Sequence, residues 1–381
     1  MRHWQFIAAA LLLLSGCGGL RLDRAPVPHP DDWPTLARNA ERDASVPAPL
    51  PPPLRRIWAE DVSAGIGSGS PVVVGGILFV ATQRGELCAF DPRTGDRIGG
   101  SRFGGSIEGS PVIDSNLALI PLSNARESLV AFNLLKGIAQ WKMQCGDIEV
   151  SPLLSGGRLY FGNTQGIFFC IEPRSGKQLW SFGFPSNEKR WGIHSSAVTD
   201  GTSIVFGADN GTVYALHPVD GRLLWKHETG APISSPLLAS HGMVFVCNRN
   251  GSAIALDGAT GTVAWKCTLD APVFAHAVVV DSILVVGTAT GTLSGLDRRT
   301  GRCMWRSALD GPIAAGGAVT GDILYIGTLA KHLYAVRVGD GRILWREEVG
   351  GRVRTPPIIS GDRLIVATDD RSVTAFGVGE P

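Results

Sequence analysis

The sequence has almost no surplus of charge. Its 35 Lys and Arg stand against 34 Asp and Glu, a formal net charge of +1, without the basic excess that a nucleic-acid surface carries. None of its seven cysteines lies in a CxxC, CxxCH or adjacent pair, which removes c-type haem attachment and thioredoxin-like chemistry. No Ser/His/Asp arrangement, phosphate loop or paired-carboxylate motif stands out, and almost no stretch has helical periodicity. What is abundant is glycine, 49 of 381 residues, between short stretches rich in Val, Ile and Leu. Many short strands joined by tight turns follow from that composition, so the fold class is all-β.

The first seventeen residues stand apart. Arg2 and His3 give a basic start, Trp4 to Leu14 is apolar, and Leu14-Ser15-Gly16-Cys17 follows. The apolar run is too short for a stable spanning helix but suits an export signal, and the four residues at its end read as a lipobox. Cys17 then becomes the lipid-bearing start of the mature chain. Acyl chains contribute about 0.8 kcal/mol per buried methylene, so a multiply acylated cysteine holds a protein on a membrane without a spanning helix. Residues 18–53 are rich in Pro, with Pro51-Pro52-Pro53 at the end. They read as a stiffened periplasmic tether with at most one short helix, Thr35 to Ala44, that holds the body off the membrane. Cys88, Cys145, Cys170, Cys247, Cys267 and Cys303 lie at differing offsets in strand-like segments, as buried free thiols do.

From residue 54 to 381 the chain repeats. A small residue opens an apolar strand at Ser70, Ser110, Ser151, Ser196, Ser235, Ala275, Ala315 and Thr355, with gaps of 40, 41, 45, 39, 40, 40 and 40. A period near forty with four short strands per unit is what a β-propeller produces. Hairpin glycines recur in register, and four residues after the second of them comes a tryptophan: Trp141, Trp180, Trp225, Trp265, Trp305 and Trp345. These rings read as blade-to-blade packing. The first repeat has Gly99 in that place, which predicts a weaker outer edge there. The last repeat ends after its third strand, while Trp58 lies in a strand-like segment, Leu54 to Asp61, that precedes the first repeat. The N-terminal segment is therefore expected to supply the missing outer strand and close an eight-bladed, monomeric ring.

The segments Ala89-Phe90-Asp91-Pro92-Arg93-Thr94-Gly95, Ala255 to Trp265 and Gly295 to Gly301 resemble the repeat of pyrroloquinoline-quinone (PQQ) dehydrogenases. The whole plan of lipobox and bare eight-bladed propeller is similar to the BamB outer-membrane protein assembly factor family. That resemblance implies a non-catalytic scaffold on the periplasmic side of the outer membrane, with a protein partner in the barrel-assembly machinery and no cofactor. The Arg-Gly-Glu-Ser-Ala-Pro-like segment of enteric members is absent; the region in register reads Arg190-Trp191-Gly192-Ile193-His194-Ser195-Ser196-Ala197, so their contact residues do not carry over.

Trp180 to Ser196 is nonetheless longer than its counterparts, and the added stretch carries Phe184, Lys189, Arg190 and Trp191. Exposed Trp and Arg are favoured at interface centres, which makes these four the candidate partner-binding residues. The competing reading is a tolerated surface insertion with Trp191 folded onto its own blade. Two other functional classes stay open. A PQQ-dependent oxidoreductase is invited by the repeat, but the blades carry no active-site insertions, no Cys-Cys pair and no assignable calcium ligands. An envelope binding module for a glycan or another protein is the third. His194 and His276 fall near inner-strand starts, without a partner at metal-ligand spacing; no metal site is expected. The acids that end some third strands, Asp91, Glu172, Asp257 and Asp297, vary too much between repeats for a ligand ring and read as turn caps.

Overall fold

A computed structural model describes residues 19–30, 32–47, 49–184 and 191–378. Lipobox Cys17, and Lys189 and Arg190 of the insertion, lie outside the described residues. Those that are described contain strands and turns and no helix. The strands form eight blades, each with four antiparallel strands, and in blades 1 to 7 these four run in sequence order from the channel outwards. Blade 1, for example, is Val72–Val74, Ile77–Ala81, Glu86–Phe90 and Arg97–Arg102. Blades 2 to 7 follow at residues 112–143, 153–183, 198–228, 238–268, 278–308 and 318–348. The two middle strands of each blade are buried almost throughout, whereas the outer strand alternates, as a sheet edge half in solvent should.

Blade 8 closes the ring as the sequence predicts. Its inner strands come from Ile358–Ser360, Arg363–Ala367 and Ser372–Val378, and its outer strand is Leu54–Asp61, paired from Leu54↔Val378 to Asp61↔Ser372. The tag tryptophans dock each blade on the next. The indole N–H of Trp58, Trp141, Trp180, Trp225, Trp265 and Trp305 donates to the carbonyl of Pro92, Pro173, Pro218, Gly258, Arg298 and Val338, respectively, at 2.8–3.2 Å. Each ring lies over the turn glycine of that next blade. A Cβ on Gly261 would sit 2.4 Å from Trp225, and its φ is +71°; both require glycine there. Trp345 differs because blade 8 borrows its outer strand and so has no turn between third and fourth strands; it meets Phe376 edge-on instead.

Three expectations are corrected. From Ser235 onwards the opening marker slips by one residue: Val72 pairs with Phe79, Leu238 with Phe245, Val278 with Val285, Ala318 with Tyr325 and Ile358 with Ile365, so the counterparts of Ser70 are Pro236, His276, Gly316 and Pro356 rather than Ser235, Ala275, Ala315 and Thr355. Second, the predicted helix Thr35 to Ala44 is a series of turns. Third, the Pro-rich stretch is not a stand-off tether but part of the body from Gly19 onwards. Leu20, Leu22, Trp33, Leu36, Ala37, Ala44, Val46 and Leu50 are all buried in it, and the apolar area they remove from water outweighs the preference of the intervening prolines for solvated backbone.

This stretch also repairs the gap at Gly99. Leu20 is fully buried against it, its amide donating to the Gly100 carbonyl at 3.0 Å, and the Leu22 amide donates to the Leu134 carbonyl of blade 2 at 2.7 Å. Gly137, which in the other blades' pattern would lie under a tryptophan, faces Leu20 and Arg21. The outer edge of blade 1 is therefore filled by the chain's own N-terminal segment.

Candidate functional site

The inner strand of every blade has one edge that no other strand of its own blade pairs, and the eight edges ring the central channel. Residues 32–47 run across one end of that channel and use these edges. Trp33 and Val73 exchange both backbone bonds; the amides of Thr199, Ala239 and Val319 donate to the carbonyls of Ala40, Glu41 and Ala44. Ser45–Val46 then adds a short parallel strand to blade 7, and Tyr325 Oη donates to the Leu50 carbonyl. Blades 1, 4, 5 and 7 are thus linked through one plug.

At the centre of the plug sits Arg42, fully buried. Its guanidinium donates to the carbonyls of Ala197 at 2.9 Å, Leu36 at 3.0 Å and Ser151 at 3.4 Å. Burial pulls its pKa down to about 9, which leaves it cationic at neutral pH. Around it the small opening residues join neighbouring blades: the Ser110 amide donates to Ser151 Oγ at 2.8 Å, and the Ser151 amide to Ser196 Oγ at 3.0 Å. The backbone is crowded beside them; a Cβ on Gly69 would lie 2.1 Å from the Ser110 nitrogen.

The opposite end is open. A cavity of about 70 Å³ reaches from that mouth to Leu36 of the plug, lined among others by Glu149, His194, Ser234, Phe274 and His276. His194 Nδ1 lies 2.8 Å from Asp209 and its Nε2 3.5 Å from Glu149, so the hydrogen bond to Asp209 raises its pKa. Deeper in, His276 is buried; burial and the charge of Arg42 lower its pKa to about 4, and its Nε2 has no partner. Phe274 is exposed at the rim with the Arg249 guanidinium 5.7 Å from its ring centre. The mouth is therefore a mixed surface of acid, imidazole, aromatic and guanidinium.

Of the predicted partner residues, Phe184 does not project. It is half-buried and packs 5.3 Å from Tyr214 and 6.4 Å from Phe182. Trp191 is also half-buried, and its carbonyl lies over Gly166, where Phe184 also packs. The insertion leads directly into His194, so the two ends of it that are described lie against the blade and at the mouth. Sequence reasoning missed Glu149, Asp209, Arg249 and Phe274. A signal existed for two of them: in correct register, the column two residues before the opening position reads Ser68, Glu108, Glu149, His194, Ser234, Phe274, Ala314 and Arg354. That column rings the mouth and varies while its neighbours repeat.

The fold suggests one cofactor to test. Small-molecule pockets run from about 300 Å³ upwards, and here the channel keeps about 70 Å³ above its own plug. Among the described residues no group of His, Cys, Asp and Glu is arranged to hold a metal ion. The residues present do not fit a quinone with its cation. All six described cysteines are free; Cys88, Cys145, Cys170 and Cys247 are buried as expected, whereas Cys267 and Cys303 are only half-buried, and burial pushes Cys88, Cys145 and Cys247 up to about 12.

Comparison with known proteins finds relatives of two kinds, assembly factors and quinone-dependent dehydrogenases. A family model described as "Outer membrane protein assembly factor BamB" matches residues 54–188, 169–312 and 289–379. Among curated proteins, the chain is 27% identical over 178 residues to the outer membrane protein assembly factor BamB of Burkholderia pseudomallei, covering 46% of this chain and 42% of that protein. The match thus spans less than half of that relative. Among solved structures, BamB from Moraxella catarrhalis superposes with a TM-score of 0.72 at 17% identity, over 86% of this chain and 100% of that one. A quinohemoprotein alcohol dehydrogenase from Comamonas testosteroni superposes with a TM-score of 0.76 at 14% identity, over 92% of this chain and 81% of that one. At such identities these structures speak for the propeller fold alone.

Proposed function

The chain belongs to the family described as outer membrane protein assembly factor BamB, and on that premise we propose that it is a non-catalytic, lipid-anchored scaffold that assists outer-membrane protein assembly from the periplasmic side. The observation that supports the non-catalytic part is the plug: Leu36, held by Arg42, bounds the central channel and leaves a cavity of only about 70 Å³ above it. What the molecule offers a partner is surface, and the most varied surface is the open mouth with the insertion beside it. Interfaces draw their energy from a few aromatic and Arg anchors, and Phe274, Arg249, Arg190 and Trp191 are of that kind.

The test is co-purification from envelopes. Replacing Arg190 and Trp191 with alanine is expected to lower recovery of the partner at least tenfold, since one lost anchor costs about 1.4 kcal/mol or more, while the circular dichroism of the propeller stays unchanged. Undiminished recovery removes the insertion from the interface. Depletion of the protein is expected to lower outer-membrane porin levels; unchanged porins would transfer the reading to another envelope partner.

A further inference from the structure

We infer that the docked N-terminal segment stands the propeller on edge, with the rim of blades 1 and 2 against the surface of the bilayer and the channel axis lying along it. The inference rests on the reading of Cys17 as the acylated residue and goes beyond it, because it says which part of the body meets the lipid. Leu20 is held in the groove between the outer strands of blades 1 and 2: fully buried, its amide shared between the Gly100 carbonyl and Ser101 Oγ at 3.0 and 2.9 Å. Leu22 and Arg21 fasten the next two residues to Leu134 and Leu135 of blade 2.

Only three Cα-to-Cα steps separate Cys17 from Leu20. At 3.8 Å each they span about 11 Å at most, which is less than the depth of one headgroup layer plus a few solvent molecules. A lipid on Cys17 therefore leaves no room for the body to stand away from the membrane.

The chemistry of that rim suits an anionic surface. Arg21, Arg102, Lys136 and Lys142 are exposed around the docked stretch, and such cations are drawn to acidic headgroups within a Debye length. The tether that the prolines suggested would have let the ring tumble; the docked segment fixes its orientation. Both faces of the ring then point sideways, and the open mouth is presented to a partner that lies alongside in the same membrane rather than one below it.

The experiment uses the full lipidated chain in vesicles of phosphatidylethanolamine and phosphatidylglycerol that carry a headgroup-bound quencher. Single fluorophores are placed by Lys142→Cys on blade 2 or Arg306→Cys at the equivalent place on blade 6, across the ring, with Cys267 and Cys303 replaced by serine. Quenching at residue 142 is expected to be several-fold stronger than at residue 306, and a spacer of about twelve Gly and Ser residues between Gly18 and Gly19 is expected to abolish the contrast. Equal quenching at the two sites in protein that floats with the vesicles and carries acyl mass on Cys17 overturns the orientation alone. A contrast that survives the spacer overturns the role given to the short link. Absence of acyl mass on Cys17 overturns the anchor reading, and the orientation with it.

Discussion

His276 shows how a single residue can couple the centre of the ring to pH. In an unfolded chain its imidazole titrates near 6.5, whereas in the fold burial and the nearby Arg42 lower that value to about 4. Between the two values the unfolded chain binds the additional proton, so stability falls as the pH drops from about 6.5 to about 4 and levels off below. The full effect is about 3 kcal/mol. His276→Gln, which cannot titrate, is expected to flatten this part of the profile. Urea midpoints of both proteins at pH 7 and pH 4.5 check it: the native chain should lose more than the variant, and equal losses would show that His276 is not the group responsible. His194, held by Asp209, works in the other direction, its contribution being lost as pH rises through its raised value.

At the scale of elements, the strands and the segment over the channel were legible to very different degrees. The strands announce themselves because a four-stranded blade repeats its pattern every forty residues, and because hairpins need residues that tolerate positive φ. Even the borrowed outer strand could be read, from Trp58 without a blade and a last repeat without a fourth strand. Residues 19–50 could not. Their buried side chains, Leu20, Trp33, Leu36, Val46 and Leu50 among them, follow no period, since each is placed by a different blade rather than by its own backbone. The mouth lies between these cases: its column of residues is visible only once the one-residue slip at Ser235 is removed. If the plug is what protects the inner edges, a chain starting at Pro51 should still form the ring while the amides of Val73, Thr199, Ala239 and Val319 exchange with solvent deuterium much faster than in the whole chain. Unchanged protection of these four amides would mean that the segment merely rests on the surface.

For the molecule as a whole, closure is the decisive contact. Without Leu54–Asp61 the third strand of blade 8 would present a bare edge, and such edges recruit other chains. A variant that begins at Val62 is expected to elute as dimers and larger species in size-exclusion chromatography, and addition of a peptide of residues 54–61 to shift it back towards monomer. A stable monomer without the peptide would show that the ring does not depend on this strand. The same pairing also sets a timetable. Asp61 and Ser372 are partners, yet roughly three hundred residues must be made between them, about 15–60 s of synthesis at 5–20 residues per second. Throughout that interval Leu54–Asp61 has no partner strand, so the blades accumulate as an open arc that cannot become a ring until Ser372–Val378 has been made.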